Sequence, residues 1–218
     1  MSDIFSFWSQ VNESDRVHPA DQHVFDRVSH SFDLERMPGC FAGKLRTAPV
    51  VLLYLSPGSA EEDHVRTLSK SRKEYAIRKH GGNEPLPQTD HPGLRWLASR
   101  TKCFGAWETV RPYVAVFNIG AYHSKTFKDV PLLAALPSSR TSIAWAQDVL
   151  FPQAITGERV VVCLRAARFW GLEIGSRYGE ALFAPYVTMG GHMNRGKMRE
   201  QVVQAAKAAI ARAAGSSH

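Results

Sequence analysis

The chain has 218 residues, 44% of them hydrophobic and 10% aromatic, which is enough to bury a core and excludes a globally disordered protein. No apolar run reaches the roughly 18 residues of a membrane-spanning helix, so no membrane is expected as a partner. The net charge of +7, from 27 Lys and Arg against 20 Asp and Glu, favours polyanionic partners, although a basic soluble surface would have the same balance.

Taken in chain order, residues 1–45 read as a helical, irregular N-terminal extension packed on the domain, with Val24, Phe25 and Val28 spaced for one helix face. The opening stretch MSDIFSFWSQVNESD lacks the basic start and cleavage site of a signal peptide. An intracellular protein is therefore expected: cytoplasmic, nucleoid-associated in a bacterium, and monomeric. PVVLLYL, 49–55, is too dense in apolar residues to alternate, as in a strand buried on both faces. Ser59, Ala60, Glu61 and Glu62 form a capping box that predicts a helix from there to about Ile77. RKHGGNEPLPQTDHPG, 78–93, gathers Gly, Pro and charge and predicts a long surface loop.

A helix over Leu94 to Phe104 precedes a second strand, PYVAVFNIG, 112–120. PLLAAL and TSIAWAQDVLF predict further helices, RVVVCL at 159–164 a third strand, and LFAPYVTM at 182–189 a last one. The final helix starts near Met198, with Val202, Val203, Ala206, Ala209 and Ile210 on its apolar face. Buried strands alternating with helices imply an α/β fold, a three-layer α/β/α sandwich with a mostly parallel central sheet over 46–218. Ligands of such sheets collect at the carboxyl ends of the strands. Three predicted strands end in polar, glycine-bearing corners there: Ser56-Pro57-Gly58, Asn118-Ile119-Gly120 and Gly190-Gly191-His192.

Cys40, Cys103 and Cys163 are odd in number and far apart, which fits a reducing compartment and offers no CxxC site. The nine histidines, His18 and His23 or His80 and His91 among them, lack metal-motif spacing, so neither metal nor cofactor is expected. GHMNRGK, 191–197, fits a phosphate-loop pattern, but Met198 stands where a magnesium-holding Ser or Thr belongs. Arg195 and Lys197 remain candidates for phosphate contact at a helix start.

Together the three corners resemble the motifs of the uracil-DNA glycosylase superfamily. LYLSPGS, 53–59, is similar to its first motif, often written Asn-Pro-Gly or Asp-Pro-Tyr. VAVFNIGAYHS, 114–124, is similar to the middle strand ending in Asn, and GGHMNRG, 190–196, to the last motif, which begins with His. The resemblance spans about residues 48 to 213. It implies a DNA N-glycosylase that flips uracil or another damaged pyrimidine out of DNA and hydrolyses its N-glycosidic bond. Asn118 would read the base edge, or else cap a strand end. His192 would donate to the base oxygen, or else make a structural loop bond.

Pro57, Gly58, Tyr122 and Phe104 complete the expected base pocket. Gly191, Met193, Asn194, Arg195 and Lys197 complete the expected DNA contacts, with Met193 or Arg195 as the wedge. Met193 packing into a core, and Phe104, Tyr75 or Phe117 doing the same, are the structural alternatives. Ser56 departs from the family, which places Asp or Asn before that Pro to position water. A serine hydroxyl binds water but is a weak base near neutrality, and His123 is the nearest substitute. The competing expectation is a catalytically altered nucleic-acid- or nucleobase-binding protein of the same fold.

Overall fold

A computed structural model describes residues 3–58, 70–88, 92–124 and 128–216. Val50–Tyr54 (β2), Val114–Asn118 (β3), Val160–Cys163 (β4) and Leu182–Ala184 (β6) are parallel neighbours in one six-stranded sheet. Phe41–Ala42 (β1) and Ser176–Tyr178 (β5) close its two edges antiparallel, in the spatial order β1-β3-β2-β4-β6-β5. Both edge strands are too short to show a period-2 pattern, so sequence reading missed them.

Every residue of β2 is buried because the sheet is covered on both sides. Val50, Leu52 and Tyr54 face a core with Leu97, Phe104, Val202, Ala206 and Ile210. Those partners come from Pro92–Thr101 (α4), Lys197–Gly215 (α9) and the turn after α4. Val51 and Leu53 face a second core with Trp8, Phe117, Leu133, Trp145 and Trp170. Helices Val130–Ala135 (α6), Pro137–Trp145 (α7) and Phe151–Ile155 (α8) cover that side. The protein is thus an α/β sandwich of three layers around a mostly parallel sheet.

Residues 3–45 share the second core. Ile4–Trp8 (α1) buries Ile4, Phe5 and Trp8 there, and Gln22–Phe25 (α2) contributes Val24. Asp21, itself fully buried, accepts from the Ser138 backbone N–H at 2.9 Å and from the Tyr122 hydroxyl at 2.6 Å. A carboxylate on the open first turn of α7 satisfies a donor that has no partner within the helix.

Two expectations need correction. LFAPYVTM is a strand only over Leu182–Ala184, since Pro185 has no N–H for the ladder. The chain then makes an irregular loop with an isolated bridge between Val187 and Met193. The Gly- and Pro-rich segment 78–93 is not all surface: His80 and Leu86 are buried. His80 packs at 5.3 Å from Trp8 on one core, and Leu86 joins the other. Helix Lys70–Arg78 (α3) covers the end of the predicted 59–77 helix, whereas the capping box lies outside the described residues.

Candidate functional site

From β2 the chain crosses to β3 on one side and then to β4 on the other, so the direction of winding reverses between β2 and β4. Strand ends diverge at such a point and leave a crevice, the usual ligand position in open α/β sheets. The first corner follows β2 at this position, and Leu164, Arg165 and Ala166 follow β4. Ala166 adopts a left-handed φ of 61°, alone among the described non-glycine residues. Such strain costs an L-residue about 1–2 kcal/mol.

The first and middle corners meet directly. Beyond the strands, the Ile119 N–H donates to the Tyr54 carbonyl at 3.3 Å and the Gly120 N–H to that of Leu55 at 2.8 Å. A Cβ on Gly120 would stand 3.7 Å from the Ser56 Cβ and only 3.0 Å from Leu133, so a side chain there would crowd the corner. His123 Nδ1 donates to the Gly58 carbonyl, which in the neutral ring leaves Nε2 as the acceptor. The His123 carbonyl in turn accepts from the Asp33 N–H at 2.9 Å, while the Asp33 carboxylate is held by the buried Arg36 at 2.8 Å.

Asn118 ends β3 in register with Tyr54 and faces the same side of the sheet. Its backbone N–H is taken by the Cys40 carbonyl at 2.7 Å. The side chain is 6% exposed and makes no hydrogen bond among the described residues. A buried amide held at a strand end with its donors and acceptor open is suited to reading a polar edge.

The third corner reaches the first through a basic and aromatic cluster. Gly190 accepts from Arg100 Nε at 3.0 Å, and the Arg100 guanidinium lies 4.4 Å over the Trp96 ring. Trp96 is 5.1 Å from Tyr54. Gly191, at φ 79°, would place a Cβ 3.7 Å from Arg165 Nε and 3.8 Å from Trp96. The Tyr54 hydroxyl is buried without a hydrogen-bond partner among the described residues. Burial pushes its ionisation up, against the opposing pull of Arg100 and Arg165. Burial, and secondarily the Arg165 charge, shift Arg100 downward.

His192 itself is exposed, on a tight turn in which its N–H donates to Thr188 Oγ1 at 3.2 Å and its carbonyl accepts from the Thr188 N–H at 2.8 Å. It borders a cleft of about 430 Å³ with Arg100, Lys102, Cys103, Met193 and Arg199. Neither Ser56 nor Asn118 lines that cleft, so Asn118 and His192 share a sheet face but not one recess. Met193 is half-buried against the α4–α9 core, whereas Met189, 95% exposed on the preceding loop, projects into solvent. Met189 lies one residue before the GGHMNRG motif, which spans 190–196.

Two expected pocket residues are committed elsewhere. Tyr122 is 2% exposed, with its hydroxyl bound to Asp21 and accepting from the His18 N–H. Phe104 is a core residue at 5% exposure, as is Phe117 at 0%. Their aromatic faces are consumed by packing, so neither is open to stack on a base. Pro57 is half-buried and Gly58 exposed, while Asn194, Arg195 and Lys197 are exposed on the loop and first turn leading into α9. GHMNRGK does not connect strand to helix directly, because residues 185–196 separate β6 from α9.

A second cleft, about 370 Å³, opens at the opposite, amino edge beside Arg46 and Arg159. Arg159 there is spent on the Ala48 and Leu45 carbonyls at 2.9 and 2.7 Å. Among the described residues no three His, Cys, Asp or Glu side chains gather as a metal would require, and no helix is long and apolar enough to cross a membrane. Burial raises the Cys40 and Cys163 thiols to about 12, which removes them as nucleophiles near neutrality. Compared with family models, curated proteins and solved structures, the chain gives no match in any of the three.

Proposed function

We propose that the chain is a uracil-DNA glycosylase-like protein that binds DNA, flips a damaged pyrimidine and hydrolyses its N-glycosidic bond. The observation that carries this reading is Asn118: a buried side-chain amide with no hydrogen bond among the described residues, at a strand end beside the Ser56-to-Gly58 corner. Cleavage breaks the bond from C1′ to the base nitrogen, and the electron pair leaves with the base. Asn118 holds the base edge, and Ser56 positions the water whose oxygen attacks C1′. His123, held at this corner by the Gly58 carbonyl, is the nearest imidazole to take up the water's proton.

His192 stands exposed at the rim of the neighbouring cleft and not in one recess with Asn118, so no step is routed through it. Met189, at the exposed tip of the 185–196 loop, is the wedge into the gap left by the base, in place of Met193. Arg195 and Lys197 contact phosphates.

A second reading, binding without turnover, is favoured by one observation. Ser56 supplies no carboxylate, and the nearby Asp33 carboxylate is spent on Arg36. Incubating the protein with uracil-containing single- and double-stranded oligonucleotides, then treating with alkali, separates the two. Strand breaks at uracil that vanish in Asn118→Ala support excision. Tight binding with no breaks across several damaged bases supports the second reading, and no binding at low salt overturns both.

A further inference from the structure

At the carboxyl edge, two guanidiniums and one phenol converge with no anion among the described residues to balance them. Arg100 is fixed from three directions: the Gly190 carbonyl takes both Nε and Nη2, the Trp96 carbonyl takes Nη1 at 3.2 Å, and the Trp96 ring lies beneath. That leaves one N–H on each terminal nitrogen for a further acceptor. The exposed Arg165 guanidinium makes no hydrogen bond or ion pair among the described residues. Arg165 Nε and Arg100 Nε lie 3.7 and 4.0 Å from the point where Gly191 would carry a Cβ. Both charges act on the Tyr54 phenol, whose hydroxyl is buried and unpartnered at 4% residue exposure.

Holding two like charges together is unfavourable unless something negative joins them. Leaving a buried hydroxyl unpaired adds a desolvation cost that no partner offsets. A ligand with several acceptor oxygens relieves both costs, and paired arginine forks match phosphate geometry. Gly191 presents no side chain between the two guanidiniums, where a Cβ would already be in van der Waals contact with both and with Trp96.

We propose that Arg165, Arg100 and the Tyr54 hydroxyl form a phosphodiester clamp for single-stranded nucleic acid, with Trp96 as a positioning residue that holds Arg100 in plane. This rests on the nucleic-acid part of the function proposed above, but not on base excision. A clamp at the carboxyl ends of β2 and β4 fixes the backbone beside the nucleotide offered to Asn118.

The test is fluorescence anisotropy of a labelled oligothymidylate carrying one uracil, measured from 50 to 300 mM salt, with wild type, Arg165→Gln and Tyr54→Phe, about the range over which single-strand electrostatics are read. The slope of log affinity against log salt should fall by about 0.7 in Arg165→Gln, the share of one phosphate contact on a single strand. Tyr54→Phe, which removes the unpaired hydroxyl and leaves the ring, should weaken binding about tenfold to a hundredfold while melting no lower than wild type, as expected for one lost hydrogen bond to a charged group.

Unchanged slope and affinity in both variants overturns the clamp. Inorganic phosphate competing as well as the oligonucleotide, per phosphate, overturns the nucleic-acid assignment in favour of a free anion. Wild-type binding with the expected slope but no base release sinks the glycosylase reading and leaves the clamp standing. Base release with an unaltered slope in Arg165→Gln does the reverse.

Discussion

Tyr122 and His80 show how polar aromatic residues lie outside the site while carrying fold stability. Tyr122 joins two distant segments through Asp21 and the His18 N–H. Tyr122→Phe strips a donor from a buried carboxylate, so it should lower unfolding stability by about 2 kcal/mol. Oligonucleotide affinity should not change, as denaturant melts and anisotropy would read. His80 donates from Nε2 to the Pro38 carbonyl at 3.2 Å, and burial holds its pKa down to about 3 from 6.5. The folded state keeps this ring neutral while the unfolded chain protonates it below 6.5. Its share of stability is therefore full above pH 6.5 and falls by about 1.4 kcal/mol per pH unit as pH drops toward 3. In His80→Phe, which keeps an aromatic against Trp8, the pH dependence of stability between those limits should flatten by about one proton's worth. An unchanged slope would contradict a buried neutral ring.

At the scale of elements, the long and densely apolar stretches were legible and the short or irregular ones were not. β2, β3, β4 and α9 announce themselves through runs such as VVLLY and the spacing of Val202, Ala206, Ala209 and Ile210, since burial on one or two faces dictates the pattern. β1 and β5, two and three residues long, owe their state to the strand beside them. Pro152 explains a further irregularity: its ring displaces the helical bond to residue 148, and the chain widens to a π-turn over Ala146–Leu150 between α7 and α8. The turn after β4 carries the left-handed Ala166. Replacing it with Gly relieves the Cβ clash and should raise stability by up to about 1 kcal/mol, after the entropy of the freer unfolded chain is set against it. Ala166→Val should lower it, and thermal melts of the pair would show the opposite signs.

For the whole molecule, the sheet order brings the Ser56 and Asn118 corners together at the carboxyl edge, a placement that sequence spacing only foreshadowed. The cluster of Tyr54, Trp96, Arg100 and Arg165 was not legible, because its members come from two strand ends and a helix and carry no motif. Nor did the sequence separate Met189 from Met193, since which methionine projects depends on the Val187–Met193 bridge. Overall positive charge fits a polyanion but does not say on which edge it lands. The central claim is that nucleic acid engages the carboxyl edge of the sheet. Hydrogen exchange of backbone amides, with and without a uracil-containing single-stranded oligonucleotide, tests it most directly. Exchange should slow at Ser56, Gly120, Arg165 and Gly191 and stay unchanged near Arg46 and Arg159. Protection confined to the amino-edge cleft beside Arg46 and Arg159 would contradict it.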